Sequence, residues 1–188
     1  MKTVTVVLFN GPPYSGKDTV VDYFVKLYNP TFKSYKFSAP LKDGIASIFQ
    51  LNKAQVNLLE DTKEVPNDLL MGLSYRQAQI WLSEEVMKPK FGKTIFGKIA
   101  LNNMSMPRVY LVSDSGFMEE AKTIVESLEH KVILIRIKRP GYDFTNDSRS
   151  YWENTLGIKD YVVTNDSTIA NLVEQISYIF KKEQITYE

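Results

Sequence analysis

The chain has 188 residues, 44% of them hydrophobic and 24% charged, which is an ordinary globular composition and enough for one well-packed domain but not for two of average size. Its formal net charge of +1 lacks the dense basic field that nucleic-acid or membrane binding needs. The sequence has no cysteine, which excludes disulfides, thiolate zinc sites and cysteine nucleophiles. We interpret its single histidine, His130, as a surface residue rather than part of a Ser-His-Asp triad.

The first predicted element is an apolar strand over residues 3–9, followed by the stretch GPPYSGKDT. In a G-x-x-x-x-G-K spacing, backbone N–H groups can curl around phosphate oxygens, because Gly11 and Gly16 adopt dihedrals forbidden to residues with a Cβ. Lys17 adds a positive charge, and a helix that begins near Asp18 points its positive dipole end at the same space. A glycine-rich turn with a solvated lysine is the alternative, and it leaves the pairing of glycine with lysine unexplained. The predicted nucleotide phosphate site consists of Gly11, Tyr14, Ser15, Gly16, Lys17, Asp18 and Thr19.

The residue after the lysine departs from the usual pattern, in which a serine or threonine reaches Mg²⁺. Here it is Asp18, with Thr19 next. Either Asp18 joins the metal shell, directly or through a water, or Thr19 takes the hydroxyl role. A carboxylate that only complements the helix dipole is a third interpretation.

The sequence predicts a short strand over residues 34–37 and a second helix over residues 40–49, with a proline near the start of the helix. Lys42 lies on the first turn of this helix, near the carboxyl end of the strand, which is the binding edge in open α/β sheets. A short helix over residues 53–61 and a loop over residues 62–72 follow. Lys42 is therefore a candidate binding residue.

The next helix has a clear start, because Ser74 can cap it and Gln77 completes the capping-box spacing. It presents Arg76 in its first turn, either for a ligand or as a solvated arginine. Trp81 and Tyr75 lie near the proposed binding pocket, where they would favour stacking on a base. Aromatic residues at helical spacing are also common in protein cores, which is the alternative for both.

A helix over residues 93–101 precedes an apolar strand over residues 108–114 that ends in Asp114. At the carboxyl end of a strand, a Walker-B-type aspartate would hold the metal or its water. A helix cap is the alternative interpretation of Asp114. A helix over residues 119–128 and a buried strand over residues 131–137 come next.

Residues 138–155 change character, because polar and aromatic residues replace the apolar pattern. This segment carries Arg139 and Arg149 directly after a predicted strand, which suits a mobile lid that closes over phosphates. A solvated connection between two strands is the alternative.

The last predicted elements are a strand over residues 160–163, a turn over residues 164–167 and a helix over residues 168–180. The apolar face of this helix comprises Ile169, Leu172, Val173, Ile176 and Ile179. Alternation of five strands with helices predicts an α/β fold with a doubly wound, five-stranded parallel sheet, right-handed crossovers and the first strand in the centre. The helical stretch over residues 53–102 is too long for a crossover, and we expect it to cap the acceptor side.

A phosphate loop, a helical insertion and an arginine-bearing lid together indicate transfer of a phosphoryl group between two bound molecules, because hydrolysis needs no second binding site. Phosphoryl transfer is catalysed mainly by alignment and charge neutralisation, which explains a demand for lysine, arginine and Mg²⁺ without a nucleophilic side chain. The acceptor is expected to be a phosphate itself, since a hydroxyl acceptor usually needs a nearby base. Lid closure would exclude water and suppress ATP hydrolysis.

The chain resembles the bacteriophage deoxynucleoside monophosphate kinases in segments that run in order over nearly its whole length. They are SGKDT at residues 15–19, FSAPLK at 37–42, SYR at 74–76, QIWLSE at 79–84, VSD at 112–114, RP at 139–140 and VTND at 163–166. The resemblance implies the fold of the P-loop nucleoside monophosphate kinases, ATP-dependent phosphorylation of deoxynucleoside monophosphates to diphosphates, and a requirement for Mg²⁺. It also implies ATP phosphate binding by Lys17, acceptor binding by Lys42 and Arg76, lid roles for Arg139 and Arg149, and a position near the adenine for Asn165.

We accordingly expect one P-loop kinase domain, with a core over residues 1–52 and 103–188, a substrate-binding insertion over about 53–102 and a lid over about 138–155. The expected partners are small molecules, ATP and a deoxynucleoside monophosphate, with no nucleic acid and no membrane; homodimerisation stays open. No apolar run approaches 18 residues and the N-terminus runs directly into a strand, so we expect no spanning helix and no signal peptide. This favours the cytoplasm, which would be the host cytoplasm for a phage-encoded chain.

Two features depart from the family pattern. After the strand-end aspartate the family tends to show a basic residue followed by phenylalanine, whereas this chain has Gly116 before Phe117. A lost substrate contact there would change specificity or rate. The lid also lacks the sequence rich in histidine and serine that the family leads us to expect. The alternatives are a P-loop kinase for another phosphorylated acceptor, such as phosphomevalonate, and a nucleotide-binding protein with little catalysis.

Overall fold

The computed structural model describes residues 4–104, 108–127, 130–145, 147 and 149–185. The chain divides into two compact units, which we call the core unit (Met1–Phe37 with Gly97–Glu188) and the helical unit (Ser38–Phe96). Across the described residues no helix combines the length and the apolar character needed to span a bilayer. The division into a core, an insertion over about 53–102 and a lid stays a prediction.

The core unit is built on a five-stranded parallel sheet, as the sequence predicts. Its described strands are β1 Val4–Asn10, β2 Phe32–Tyr35, β3 Val109–Val112, β4 His130–Lys138 and β5 Lys159–Thr164, in the spatial order β2-β3-β1-β4-β5. The first strand is therefore central, as predicted. β1 and β3 are buried almost throughout, because a parallel sheet covered on both faces leaves neither face to solvent.

The second strand begins two residues before its predicted start. Phe32 belongs to it because its ring packs against those of Phe24 and Phe180, with centroid separations of 6.5 and 5.8 Å. Phe37 lies outside the strand, and its backbone N–H donates to Oδ1 of Asp114 at 2.9 Å. The predicted strand over residues 34–37 is therefore wrong at both ends, because the buried ring of Phe32 extends the strand towards its N-terminus.

The described part of the chain contains eight α-helices. They are α1 Lys17–Leu27, α2 Ala39–Ile48, α3 Lys53–Asp61, α4 Tyr75–Trp81, α5 Lys88–Phe91, α6 Ile95–Asn103, α7 Met118–Glu126 and α8 Ile169–Lys182. Each predicted helix corresponds to one of them, with ends that differ by a few residues, and the predicted end at residue 128 lies outside the described residues. On α8 the predicted apolar face is wrong at Ile169, which is 57% exposed because it occupies the first helical position, beyond the core.

The helical unit contains the capping box that the sequence predicts. The N–H of Gln77 donates to Oγ of Ser74 at 3.1 Å, and the N–H of Ser74 donates to Oε1 of Gln77 at 2.8 Å. α4 then continues through a π-helical segment, Leu82–Met87, into α5. Gly92, with a φ of 86°, ends this run.

Glu183 ties the end of α8 to the sheet. Its carboxylate, 1% exposed, accepts hydrogen bonds from Oη of Tyr161 at 2.5 Å and Nζ of Lys159 at 3.0 Å, and it lies 3.3 Å from Nζ of Lys131. Burial raises the pKa of Glu183, but the hydrogen bonds from these three side chains outweigh burial and lower the pKa from 4.5 to about 2. The buried carboxylate is therefore charged throughout the neutral and mildly acidic range.

Replacing Glu183 by glutamine should remove an acid-dependent part of the stability. A carboxyl group whose pKa is lowered by folding stabilises the protein above its unfolded value near 4.5, and this contribution is lost as the pH falls towards 2. Urea denaturation between about pH 5 and 2 should therefore show a steeper fall in the free energy of unfolding for the wild type than for E183Q. Glu174→Gln, an exposed change on the same helix, is the control. Parallel pH profiles for wild type and E183Q would contradict the expectation.

Candidate active site

The turn between β1 and α1 lies between the strand and the helix that the sequence predicts, but the special dihedral predicted for Gly11 is wrong, because Gly16 is the glycine of this turn with a positive φ. Gly16, the residue before α1, has a φ of 103°, in the left-handed region that favours glycine. A Cβ on Gly11 would lie 2.6 Å from the carbonyl oxygen of Ile137 and 2.7 Å from Oγ of Ser15. Tyr14 also has a positive φ, 62°, and its side chain is exposed. Both glycines are thus needed for the turn to close against the end of β4.

Lys17 is buried inside this turn. Its Nζ donates to the carbonyl oxygens of Gly11 and Pro12, both at 2.6 Å, and to Oγ of Ser15 at 3.2 Å. Among the described residues, none of its hydrogen-bond acceptors is a carboxylate. Burial and then the charge of Arg149 lower the pKa of Lys17 to about 8. The ammonium is held by neutral dipoles, so an anion that reached it would be stabilised strongly.

The carboxylate of Asp18 is fixed beside the carboxyl end of β3. Its Oδ1 accepts hydrogen bonds from Nζ of Lys36 and from Oγ of Ser113, both at 2.8 Å. Burial raises the pKa of Asp18, and the hydrogen bonds and charge of its partners outweigh burial and keep the pKa below its ordinary value. Asp18 is therefore ionised at neutral pH. Thr19 is exposed on the same helical turn.

Asp114 follows β3, and its Oδ1 accepts the N–H of Phe37. Within the described ranges no group of three or more acidic or histidine side chains is arranged to hold a metal. Mg²⁺ that binds with a nucleotide usually takes one or two protein carboxylates and completes its shell with phosphate oxygens and water. Asp18 and Asp114 fit such a partial site, and they do not form a closed metal cage.

Arg139 and Asn165 contact the loop from the side of β4 and β5. Nη1 of Arg139 donates to the carbonyl oxygen of Tyr14 at 2.6 Å, and the guanidinium carbon lies 4.4 Å from the ring centroid of Tyr142. Nδ2 of Asn165 donates to the carbonyl oxygen of Ser15 at 3.0 Å. Both candidate residues therefore lie at the phosphate loop.

Arg149 reaches the site from the connection between β4 and β5. Its Nε and Nη2 donate to the two carboxylate oxygens of Asp147, at 2.8 and 2.5 Å. Its Cγ and Cδ pass beside Gly116, where a Cβ would lie 2.6 and 2.3 Å from them. Its charge contributes, after burial, to the lowered pKa of Lys17.

The sequence analysis missed a buried asparagine that organises this region. Asn10 ends β1, and its Nδ2 donates to the carbonyl oxygens of Ser115 at 2.9 Å and Ser150 at 3.0 Å. Nε1 of Trp152, which is also buried, donates to the same Ser115 oxygen at 3.4 Å. An asparagine at the end of an otherwise apolar strand, directly before the loop, was the available signal. The other contact residues that the analysis missed are Lys36, Ser113, Tyr142 and Asp147.

Three candidate residues lie in the helical unit. Lys42 forms an ion pair with Glu60, and Nε of Arg76 lies 2.5 Å from Oε1 of Glu64. Trp81 is 42% exposed, so it is not a core residue, whereas Tyr75 is fully buried and the stacking role suggested for it is wrong. The other candidates, which belong to the core unit, converge on the phosphate loop. They are Gly11, Tyr14, Ser15, Gly16, Lys17, Asp18, Thr19, Asp114, Arg139, Arg149 and Asn165.

Comparison with known proteins gives one informative similarity. No protein-family model matches the chain. A curated relative, the "Putative deoxynucleotide monophosphate kinase" of Acanthamoeba polyphaga mimivirus, is 27% identical over 177 residues, which cover 86% of this chain and 89% of the relative. Together with the five-stranded parallel sheet, this similarity supports a kinase.

Proposed function

We propose that this chain is a kinase that transfers a phosphoryl group from ATP to a deoxynucleoside monophosphate, with Mg²⁺ as cofactor. The observation that carries the proposal is the buried ammonium of Lys17, held by the carbonyl oxygens of Gly11 and Pro12 at the start of α1. A cation with only neutral acceptors, beside the positive end of a helix dipole, suits a polyphosphate. The name of the mimivirus relative supports the same acceptor class.

The ATP phosphates would lie in the loop, against its backbone N–H groups and Nζ of Lys17. The adenine would lie beside Asn165, whose amide is fixed by Ser15 on the β5 side of the loop. Arg139 is held at the loop by Tyr14 and carries the ring of Tyr142 against its guanidinium, and it would lie beside the ATP phosphates. These contacts support a donor site on the side of β4 and β5.

Asp18 and Asp114 would hold Mg²⁺, directly or through water. When it is bound, the ion neutralises charge on the transferring phosphates and orients them. The ionised state of Asp18 at neutral pH supports this assignment, as does its fixed position between Lys36 and Ser113. Thr19 remains the alternative residue for the metal shell.

The acceptor would be bound by Lys42, Arg76 and Trp81 of the helical unit. The two cations have carboxylate partners, Glu60 and Glu64, for which a substrate phosphate would compete. The exposed ring of Trp81 offers a face on which a nucleobase can stack, which favours a nucleotide over a small aliphatic acceptor.

The chemistry needs no protein nucleophile. The attacking group is a phosphate oxygen that is already anionic, so no base has to remove a proton. Lys17, Arg139 and Arg149 would align the donor and acceptor phosphates and offset the negative charge as the phosphoryl group moves between them. We place this activity in the cytoplasm, in the host cell if the chain is phage-encoded, with small-molecule partners.

The first test is ADP release by the purified chain with ATP, Mg²⁺ and each deoxy- and ribonucleoside monophosphate in turn. Lys17→Ala should lower kcat/KM by about 10²- to 10³-fold, the usual effect of losing one preorganised donor to a developing charge. Lys26→Ala, an exposed change on α1, is the matched control and should leave the rate unchanged. Turnover by K17A at the wild-type rate would rule out the proposed role of the loop.

Arg76→Ala should raise the KM for the monophosphate by about 10- to 100-fold, because a hydrogen bond to a charged group contributes about 1.5–3 kcal/mol. The KM for ATP should stay within about twofold of the wild type, since the ATP contacts are assigned to the core unit. Lys63→Ala, an exposed neighbour in the helical unit, is the control. Equal acceptor KM values for R76A and the wild type would show that Arg76 does not contact the acceptor.

The affinity for ATP should fall at alkaline pH. Burial, and then the charge of Arg149, lowers the pKa of Lys17 to about 8 in the free protein, and bound phosphates favour the charged form. Above about pH 8, ATP binding then requires Lys17 to take up a proton, so the dissociation constant for ATP should rise by up to about tenfold per pH unit. Calorimetric titration with Mg·ATP between about pH 7 and 9.5 measures this constant. The weaker binding of Lys17→Met should lack this dependence, and an identical dependence in K17M would exclude Lys17 as its source.

A further inference from the structure

We propose that Arg149 and Gly116 act as one unit, in which Arg149 supplies a guanidinium for the acceptor phosphate from the space that a side chain at position 116 would fill. Asp147 is the positioning residue that holds this guanidinium. The inference rests on the proposed kinase function and deepens it, because it assigns an acceptor contact to the core unit.

The steric evidence is the path of the Arg149 side chain. A Cβ built on Gly116 would lie 2.3 Å from its Cδ, 2.6 Å from its Cγ and 3.3 Å from its Cβ. Real Cβ atoms do not approach other carbon atoms so closely, so a side chain at 116 and Arg149 in its present position exclude each other. The glycine is therefore what allows an arginine from a distant part of the chain to cross the turn after β3.

The backbone on both sides of this crossing is tied to the sheet. Asn10, at the end of β1, holds the carbonyl oxygens of Ser115 and Ser150, which are the direct neighbours of Gly116 and Arg149. Oη of Tyr151 donates to the carbonyl oxygen of Ile137 at the end of β4, at 2.8 Å. These bonds fix the two residues relative to each other, so Arg149 approaches from the core and not from a free-standing loop.

The guanidinium still has donors for a ligand. Asp147, whose side chain is 6% exposed, takes Nε and one hydrogen of Nη2. No residue of the described ranges accepts a hydrogen bond from Nη1. The edge formed by Nη1 and Nη2 can therefore bind a phosphate in a bidentate manner while Asp147 holds the adjacent edge, formed by Nε and Nη2.

The sheet order assigns this guanidinium to the acceptor. Arg139 and Asn165 follow β4 and β5, on one side of the central strand, and contact the loop there. Gly116 follows β3, on the other side of β1. Because the acceptor oxygen must attack the terminal phosphate opposite the leaving oxygen, and the rest of the donor would extend from that oxygen towards Asn165, a cation carried over Gly116 lies on the acceptor side.

An exchange of the two positions tests the inference. Arg149→Ala should raise the KM or dissociation constant of the monophosphate by about 10- to 100-fold and leave ATP binding within about twofold. Gly116→Ala should impair acceptor binding in the wild type, because it displaces Arg149, but should have little further effect in R149A.

The double variant G116R/R149A should recover at least about tenfold of the acceptor affinity that R149A loses. Arg108→Ala, a partly exposed arginine that bonds Pro30, is the control and should change neither constant.

Asp147→Asn tests the positioning role. It keeps the shape of the side chain but removes the charge that holds Arg149, so the acceptor KM should rise while kcat at saturation stays closer to that of the wild type. An effect on unfolding alone, with unchanged acceptor KM, would reduce Asp147 to a structural residue and contradict the role.

Equilibrium titration with each of the four deoxynucleoside monophosphates separates this inference from the proposed activity. Binding that R149A loses and G116R/R149A recovers supports the inference even if no ADP is released, in which case only the kinase proposal fails. Unchanged acceptor affinity in R149A overturns the inference even if the wild type is an active kinase. A folded double variant that binds no better than R149A also overturns it, as does absence of monophosphate binding by the wild type.

Discussion

The ammonium of Lys17 sits inside a turn of its own chain and is held by the carbonyl oxygens of Gly11 and Pro12. Neutral dipoles compensate only part of the hydration free energy that a cation loses on burial, and burial accordingly lowers the pKa of Lys17. Other contacts in the core unit hold the turn in the shape that surrounds this ammonium group. Two glycines let the turn close around it, and the side chains of Arg139 and Asn165 fix the turn from outside by binding its carbonyl oxygens.

Among the described residues, the carboxylates near the turn have other partners, and none of them accepts a hydrogen bond from Lys17. Asp18 accepts from Lys36 and Ser113, and Asp147 accepts from Arg149. Carboxylates and cations therefore lie together at the carboxyl edge of the sheet, while the ammonium of Lys17 has no carboxylate partner among the described residues. An edge that combines the ionised carboxylate of Asp18 with the cations of Lys17 and Arg139 has the charge pattern that the proposed metal-nucleotide complex would require.

The sheet could be predicted because its three inner strands, β3, β1 and β4, are largely apolar and the strands alternate with amphipathic helices. The phosphate site that the glycine and lysine spacing indicates stays a prediction. The start of β2 was misplaced because the decisive contacts of Phe32, with Phe24 and Phe180, join distant parts of the chain. Asn10 was missed for a similar reason, since its two acceptors are backbone carbonyls that no side-chain pattern records. The loss of a basic residue at Gly116 stays a prediction, and the sequence gives no signal that the Arg149 side chain passes beside this glycine, because the two residues are far apart in the chain.

A guanidinium carried across Gly116 from Arg149 has a consequence for comparing this chain with others. If one catalytic charge can reach the same point in space from either of two positions 33 residues apart, its presence cannot be judged from a single alignment column. A relative with arginine in the first column and glycine or alanine in the second would be functionally equivalent, although the two would differ at both. Such a pair should then change together during evolution, because an intermediate with both arginines is overcrowded and one with neither lacks the charge.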